Sequence, residues 1–203
     1  MLSGCVAAAL VAGTAVTGGT LYSISGGGEA SYEVAAVQPA PAAAARIGSA
    51  RSVALYPSMD GTDGQTISTA RARTDLEVVS ATKTVAWVRD SNADFAVMTS
   101  DEKATHVGRL AAGVGADLGI FAELTGQQSD PSLFVGNSEI IYDLRVTMVA
   151  AGDGDVLWSE PGRLRIRMGA AVPGAAEITR VRDEAIADRV MQIRREATAA
   201  PTG

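Results

Sequence analysis

Residues 140–158 constrain the fold more than any other stretch of the chain. Tyr142, Leu144, Val146 and Met148 alternate with Asp143, Arg145 and Thr147; the pattern breaks at Gly152-Asp153-Gly154 and an extended run resumes as Asp155-Val156-Leu157-Trp158-Ser159-Glu160. A period of two describes a strand with one buried and one wet face. Asp153-Gly154 supplies the residue types that a tight hairpin turn takes where both central positions need positive φ. Two strands joined in this way form a scaffold that contains no nucleophile, base or metal ligand. The expectation is a binding or assembly domain and not an enzyme.

The rest of the chain supplies neighbours for that hairpin. Val53, Ala54, Leu55 and Tyr56 form a short apolar run ended by Pro57, which reads as a first strand. Ile67, Ala70, Thr74, Val78, Ala81, Val85 and Val88 recur every three or four residues and predict one helix, with Trp87 half-buried on it. The β-branched content around residues 76–79 leaves a strand there as the alternative. Phe95-Ala96-Val97-Met98 reads as a second strand, followed by Thr99-Ser100-Asp101-Glu102, whose hydroxyls and carboxylates suit the exposed amides of a helix start. That helix turns Ala104, Val107, Leu110, Ala111 and Val114 inward and closes at Gly113 and Gly115.

A third strand covers residues 117–124, and a polar loop, 125–138, leads into the hairpin, whose return strand runs towards Met168. After Pro173-Gly174 a last helix lays Ile178, Val181, Ala185, Ile186, Val190 and Ile193 on the sheet, with Arg180, Arg182, Asp183, Arg189 and Arg194 outside. The order β-α-β-α-β-β-β-α describes an α/β sandwich, a single mixed sheet flanked by helices.

Residues 1–50 read differently. Leu2-Ser3-Gly4-Cys5 has the form of a bacterial lipobox, which makes Cys5, the single cysteine, a candidate lipidation site. Residues 6–16 also fit the apolar region of an export signal without lipid. Gly13, Gly18 and Gly19 with Thr14, Thr17 and Thr20 dilute the run too far for a spanning helix. Residues 1–24 are thus expected to be an export signal or lipoprotein anchor, 25–50 a tether rich in Gly, Ala and Pro, and 51–203 the folded domain.

Several function classes are disfavoured. A net charge of −6 and a pI near 4.8 speak against nucleic-acid binding, which needs clustered cations. Arg163, Arg165 and Arg167 alternate on one strand and read as a solvated face. His106 is the only histidine and has no partner for a zinc site or a catalytic triad, so it reads as a surface or helix-packing residue. Asp60-Gly61-Thr62-Asp63-Gly64 and Asp153-Gly154-Asp155 lack the ligand spacing of a full calcium loop and read as turns. No cofactor, metal or catalytic residue is expected. Trp158 is expected to cap the core, with a role as a partner-binding anchor as the alternative.

With these elements in place the chain resembles a known superfamily. The segments that carry the likeness are residues 52–56, Ala93-Asp94-Phe95-Ala96-Val97-Met98, the step Gly115-Ala116-Asp117-Leu118-Gly119-Ile120, residues 142–149, and the turn Gly154-Asp155-Val156-Leu157-Trp158-Ser159. They are similar to the core of envelope lipoproteins that include the LpoB-like activators of peptidoglycan synthases, the curli-channel protein CsgG, the exopolysaccharide lipoprotein PelC and the amino-terminal domain of TolB. The resemblance implies a periplasm-facing lipoprotein, anchored to the outer membrane, that binds other proteins. Its partner would be a cell-wall synthase that it regulates, or copies of itself in a secretion or polysaccharide-export ring. CsgG carries long membrane-spanning hairpins that this chain has no segments to match, so LpoB-like or PelC-like members fit better.

Overall fold

The computed structural model describes residues 16–24, 28–35, 37–57, 63–130, 139–168 and 174–199. Cys5, residues 6–15 of the apolar run, and Asp60, Gly61 and Thr62 lie outside the described residues. The described chain forms one mixed seven-stranded sheet flanked by helices, of the α/β class.

In chain order the elements are β1 (Val16–Ile24), β2 (Gly28–Ala35), α1 (Pro41–Ser49), β3 (Ser52–Leu55), α2 (Asp63–Arg73), β4 (Glu77–Val78) and α3 (Ala81–Ser91). There follow a short 3-10 helix (Phe95–Val97), α4 (Ser100–Val114), β5 (Leu118–Asp130), β6 (Glu139–Ala150), β7 (Val156–Arg167) and α5 (Ala175–Ala199). The strands lie in the order β1-β2-β7-β6-β5-β3-β4; β3 runs parallel to β4 and β5, and all other neighbours are antiparallel.

The hairpin that dominates the sequence is the centre of the sheet. Tyr142 pairs with Leu164, Leu144 with Gly162 and Met148 with Trp158. Leu144, Val146 and Met148 are buried beneath helices as their alternation predicts. On this face α1, α2 and α5 bring Ile47, Ala70, Val190 and Ile193 onto Leu118, Ile120, Met148 and Trp158. Burial of a side chain such as Met148 or Ile193 stabilises by about 1.5–3 kcal/mol. The opposite face is not wholly wet. There α4 covers one end of the sheet with Val107, Leu110 and Ala111, so Thr147 and Val149 of β6 are buried too.

Three expectations about the elements are corrected. The helix expected to begin at Ile67 and reach Val88 is two helices, α2 and α3, with β4 between them: Val78 pairs with Val53 in the sheet and is buried. The stripe in the sequence came from two separate surfaces that happened to share a phase. Phe95-Ala96-Val97 is a 3-10 turn and not a strand, because Asp94 accepts a hydrogen bond from the Ala96 amide at 3.1 Å and the Phe95 ring stacks on Tyr56 at 3.9 Å. The strand expected to end at Leu124 continues as β5 through Asp130, past a bulge between Leu124 and Gly126, so residues 125–130 are no loop.

The described part of residues 25–50 is not a tether. Its β2 pairs with β7, placing Ala30 opposite Ile166 and Tyr32 opposite Leu164, and both Ala30 and Tyr32 are buried. An alanine-rich run is also good helix material. Pro41 in the first turn starts α1 where a missing amide is harmless, and Ile47 is fully buried under α5. A few large residues in an otherwise small-residue segment were enough to dock it.

The step from α4 into β5 shows what Gly115-Ala116-Asp117 does there. Thr99 and Glu102 form a capping box at the start of α4, and Gly115 closes it in the left-handed conformation at φ 78°. Ala116 is buried, and the Asp117 carboxylate accepts from the Arg51 amide at 2.8 Å and from the amide and hydroxyl of Ser52 at 3.1 Å each. Asp117 therefore ties the start of β3 to the start of β5. These bonds, the Arg51 amide foremost, hold the carboxyl below its ordinary pKa. A lowered folded-state pKa contributes stability that is present above about pH 4 and is lost as pH falls through the lower folded value. Asp117→Asn is expected to be slightly less stable at neutral pH, by less than about 1 kcal/mol because the site is exposed. Its urea midpoint should also fall less than that of the wild type between about pH 4 and pH 2.

Candidate functional site

The lengths of the strands create a notch. Strand β3 is four residues long and β4, beyond it, two, whereas β5 on the other side of β3 has 13. Beyond Leu55 the Tyr56 amide still donates to the Ile120 carbonyl, at 2.8 Å, but no described strand continues along this edge of β5, the edge opposite β6. Helices α2 and α5 on one face and α3 on the other meet over this gap, and a cleft of about 550 Å³ opens between them. The ends of parallel strands commonly host such crevices.

The cleft is apolar. Its floor is Val53, Ile120 and Val190, with Ile186 and Ala187 from α5 and Val85 and Val88 from α3 forming the sides. Phe95 and Phe121 meet edge-to-face at 5.7 Å at one end. Val85 at the rim is 43% exposed. Among the described residues, Arg89, Asp94, Arg182 and Asp183 are the charged ones that border the cleft. Arg182 donates to Asp183 at 3.0 Å, and Asp94 is engaged by the Ala96 amide. Nothing in this arrangement offers a nucleophile with a base beside it. Among the described residues no group of three or more His, Cys, Asp or Glu is placed to hold a metal ion.

The other residues that the sequence singles out lie apart from the cleft or behind it. His106, on α4, packs edge-on against Trp87 at 5.1 Å and Tyr56 at 5.9 Å, a helix-packing role as expected. Burial, with Arg109 adding to it, holds its imidazole neutral to lower pH than usual. Arg163, Arg165 and Arg167 share the face of the sheet away from α5 and pair with Asp143, Glu33 and Glu139; Arg163 and Arg167 are solvated as their spacing implies, whereas Arg165 is half-buried. Trp158 is 3% exposed, which leaves it no surface to offer a partner, and its indole N–H donates to the Val37 carbonyl at 3.1 Å. In the hairpin turn the positive φ falls on Gly152 and Gly154, and Asp153 has none. Four residues, 151–154, therefore close a wider loop than a two-residue Asp-Gly turn.

The chief surprise is electrostatic. Asp183, Arg189 and Arg194, expected on the outer side of the last helix, are all buried. Arg189 donates to both carboxylate oxygens of Glu160, at 2.6 to 3.2 Å, and Arg194 reaches Asp75 and the Ile47 carbonyl. Helix α5 packs against α1, α2, β1 and β2, and most of its described residues are buried or half-buried. Burial, followed by the charge of Glu160, pushes the Tyr32 hydroxyl far above its ordinary pKa.

No protein-family model matches the chain, and no curated protein matches it significantly. Among solved structures it is similar to lipoprotein GNA1162 from Neisseria meningitidis, at 18% identity over 70% of this chain and 99% of that one, with a TM-score of 0.44. It is similar to the PelC dodecamer from Paraburkholderia phytofirmans, at 14% identity over 81% and 97% of the two chains and a TM-score of 0.38. The hypothetical protein CT253 from Chlamydia trachomatis is similar at 15% identity over 73% and 94%, with a TM-score of 0.37.

Proposed function

We propose that this chain is a cell-envelope lipoprotein that faces the periplasm, is anchored to the outer membrane through Cys5, and works by binding protein and not by catalysis. Its proposed partner is a peptidoglycan synthase, which it regulates by docking. The observation that carries this reading is what the motif residues do in the fold. Asp117 ties two strands together, Gly154 sits against the backbone of α4, and Trp158 fills the core, so the Gly-Ala-Asp step and the Gly-Asp-Val-Leu-Trp-Ser turn, two of the segments that carry the resemblance, are architectural. With these two segments committed to the frame, the reading assigns the working part to the surface.

A second reading, a subunit of a ring in a secretion or exopolysaccharide-export assembly, is favoured by one feature. The edge strand β1, Val-Thr-Gly-Gly-Thr-Leu-Tyr-Ser-Ile, contains no charged residue and no proline, the usual devices that keep a sheet edge from pairing with another chain. Light scattering on the full chain extracted in mild detergent separates the two. The regulator is expected to elute at the mass of one copy and to raise glycan-strand cross-linking when added to a purified synthase. A closed assembly of many copies with no effect on the synthase would replace it with the ring. Mass spectrometry of the same preparation should find a diacylated Cys5 at the amino terminus.

A further inference from the structure

We infer that the cleft at the end of β3 binds a single-chain anionic amphiphile, a fatty acid or a molecule built like one, with its chain over the apolar floor and its head at Arg89. This goes beyond the partner-binding reading and does not rest on it. At about 550 Å³ the cleft falls within the size range of sites for small molecules, and its few polar groups are of the kind that orient a ligand.

The chemistry of the lining selects the class. Thr74 is hydrogen-bonded to the Ala70 carbonyl, Asp94 to the Ala96 amide, and Arg182 to Asp183, so these side chains are already engaged within the protein. A peptide entering the cleft would bring backbone amides and carbonyls that need partners there. A hydrocarbon chain brings none. At the rim, Arg89 contacts Asp90, its neighbour in sequence, at 3.1 Å, with both side chains at least 70% exposed. A pair so placed binds weakly, and a guanidinium has five N–H donors, which leaves Arg89 able to receive a carboxylate. The cation stands next to Val88, which lines the apolar wall, so head and chain of one molecule can be met together.

Calorimetric titration of the full chain with laurate, and in parallel with dodecanol as its uncharged counterpart, tests this. Laurate is expected to bind with a Kd on the order of micromolar. Ala122 lines the cleft from an exposed position, so Ala122→Trp should obstruct the cleft without disturbing the core and weaken both ligands about tenfold or more. Arg89→Gln should weaken laurate about fivefold and leave dodecanol unchanged, since only the charged head is lost. Absence of laurate binding up to about 100 times that Kd would overturn the inference. Binding indifferent to Ala122→Trp would overturn the site, and laurate binding indifferent to Arg89→Gln would overturn the assignment of the head.

Discussion

Glu160→Ala is expected to lower the stability of the fold by about 3–5 kcal/mol, a fall of about 6 to 20 °C in Tm for a chain of this size. Glu160 is fully buried and the Arg189 side chain is 5% exposed. The pair is joined by three contacts of 2.6 to 3.2 Å, and the Val37 amide donates to the same carboxylate at 3.2 Å. Removing the carboxylate leaves a guanidinium in the core, and arginine cannot relieve the cost by losing its proton. The Val37 amide loses its acceptor as well. Since Val37 also accepts from Trp158 and leads into α1, the damage should spread along residues 37–50.

The reverse substitution is not equivalent. Arg189→Met leaves a buried carboxylate that can take up a proton. Replacing both, Glu160→Leu with Arg189→Met, removes both charges and should recover most of what either single change loses. Urea unfolding followed by tryptophan fluorescence, with limited proteolysis of residues 37–50, measures all of this. A Glu160→Ala protein within about 1 kcal/mol of wild type would show that the pair does not organise this part of the molecule.

The pair also shows where the sequence was legible and where it was not. Trp158, Leu164 and Ile166 mark the buried face of β7 by parity, and Glu160 falls on that face between them. The register of the strand thus announced a buried acid. The basic partner on α5 was read as solvent-facing because a charged residue off the main apolar stripe normally is. That rule assumes a helix with one packed side, and α5 is packed by α1, α2 and the sheet together. The hairpin and α4 were readable because their determinants lie within a few residues: alternation, a capping box, a terminal glycine; the tie from Asp117 to Arg51 and Ser52 spans 65 residues or more and was not. The docking of residues 28–49 was not, since it depends on Tyr32 and Ile47 meeting β7 and α5 more than a hundred residues away. The cleft was hidden for a related reason. Each of its residues belongs to an ordinary core pattern, and the cavity exists only because β3 and β4 stop short of β5.

Gly154→Ala is the substitution with the next largest expected effect. Gly154 has φ 79°, and a Cβ there would stand 2.4 Å from the Ala104 carbonyl oxygen and 2.6 Å from the Thr105 Cα. Both obstacles are backbone of α4, so no side chain can swing aside. From the other side, a Cβ on Gly108 would stand 2.4 Å from the Gly154 Cα. The hairpin turn and the helix thus meet glycine to glycine, and the contact is fastened by the Gly152 amide donating to the Gly108 carbonyl at 2.9 Å and the Ala151 amide to Asp117 at 3.1 Å. The left-handed conformation alone costs an alanine about 1–2 kcal/mol, and forced overpacking adds about 1–3 kcal/mol. Gly152→Ala separates the two contributions, because Gly152 also has positive φ, at 99°, but faces open space. It should lose only the conformational part. Gly108→Ala, with ordinary helical backbone, should lose only the packing part. If urea unfolding placed Gly154→Ala no lower than Gly152→Ala, the close approach of α4 to the turn would not be a constraint. With the predicted ranking, the glycine of the Gly-Asp-Val-Leu-Trp-Ser segment is accounted for by the backbone of α4 pressing on it, with no role in binding required.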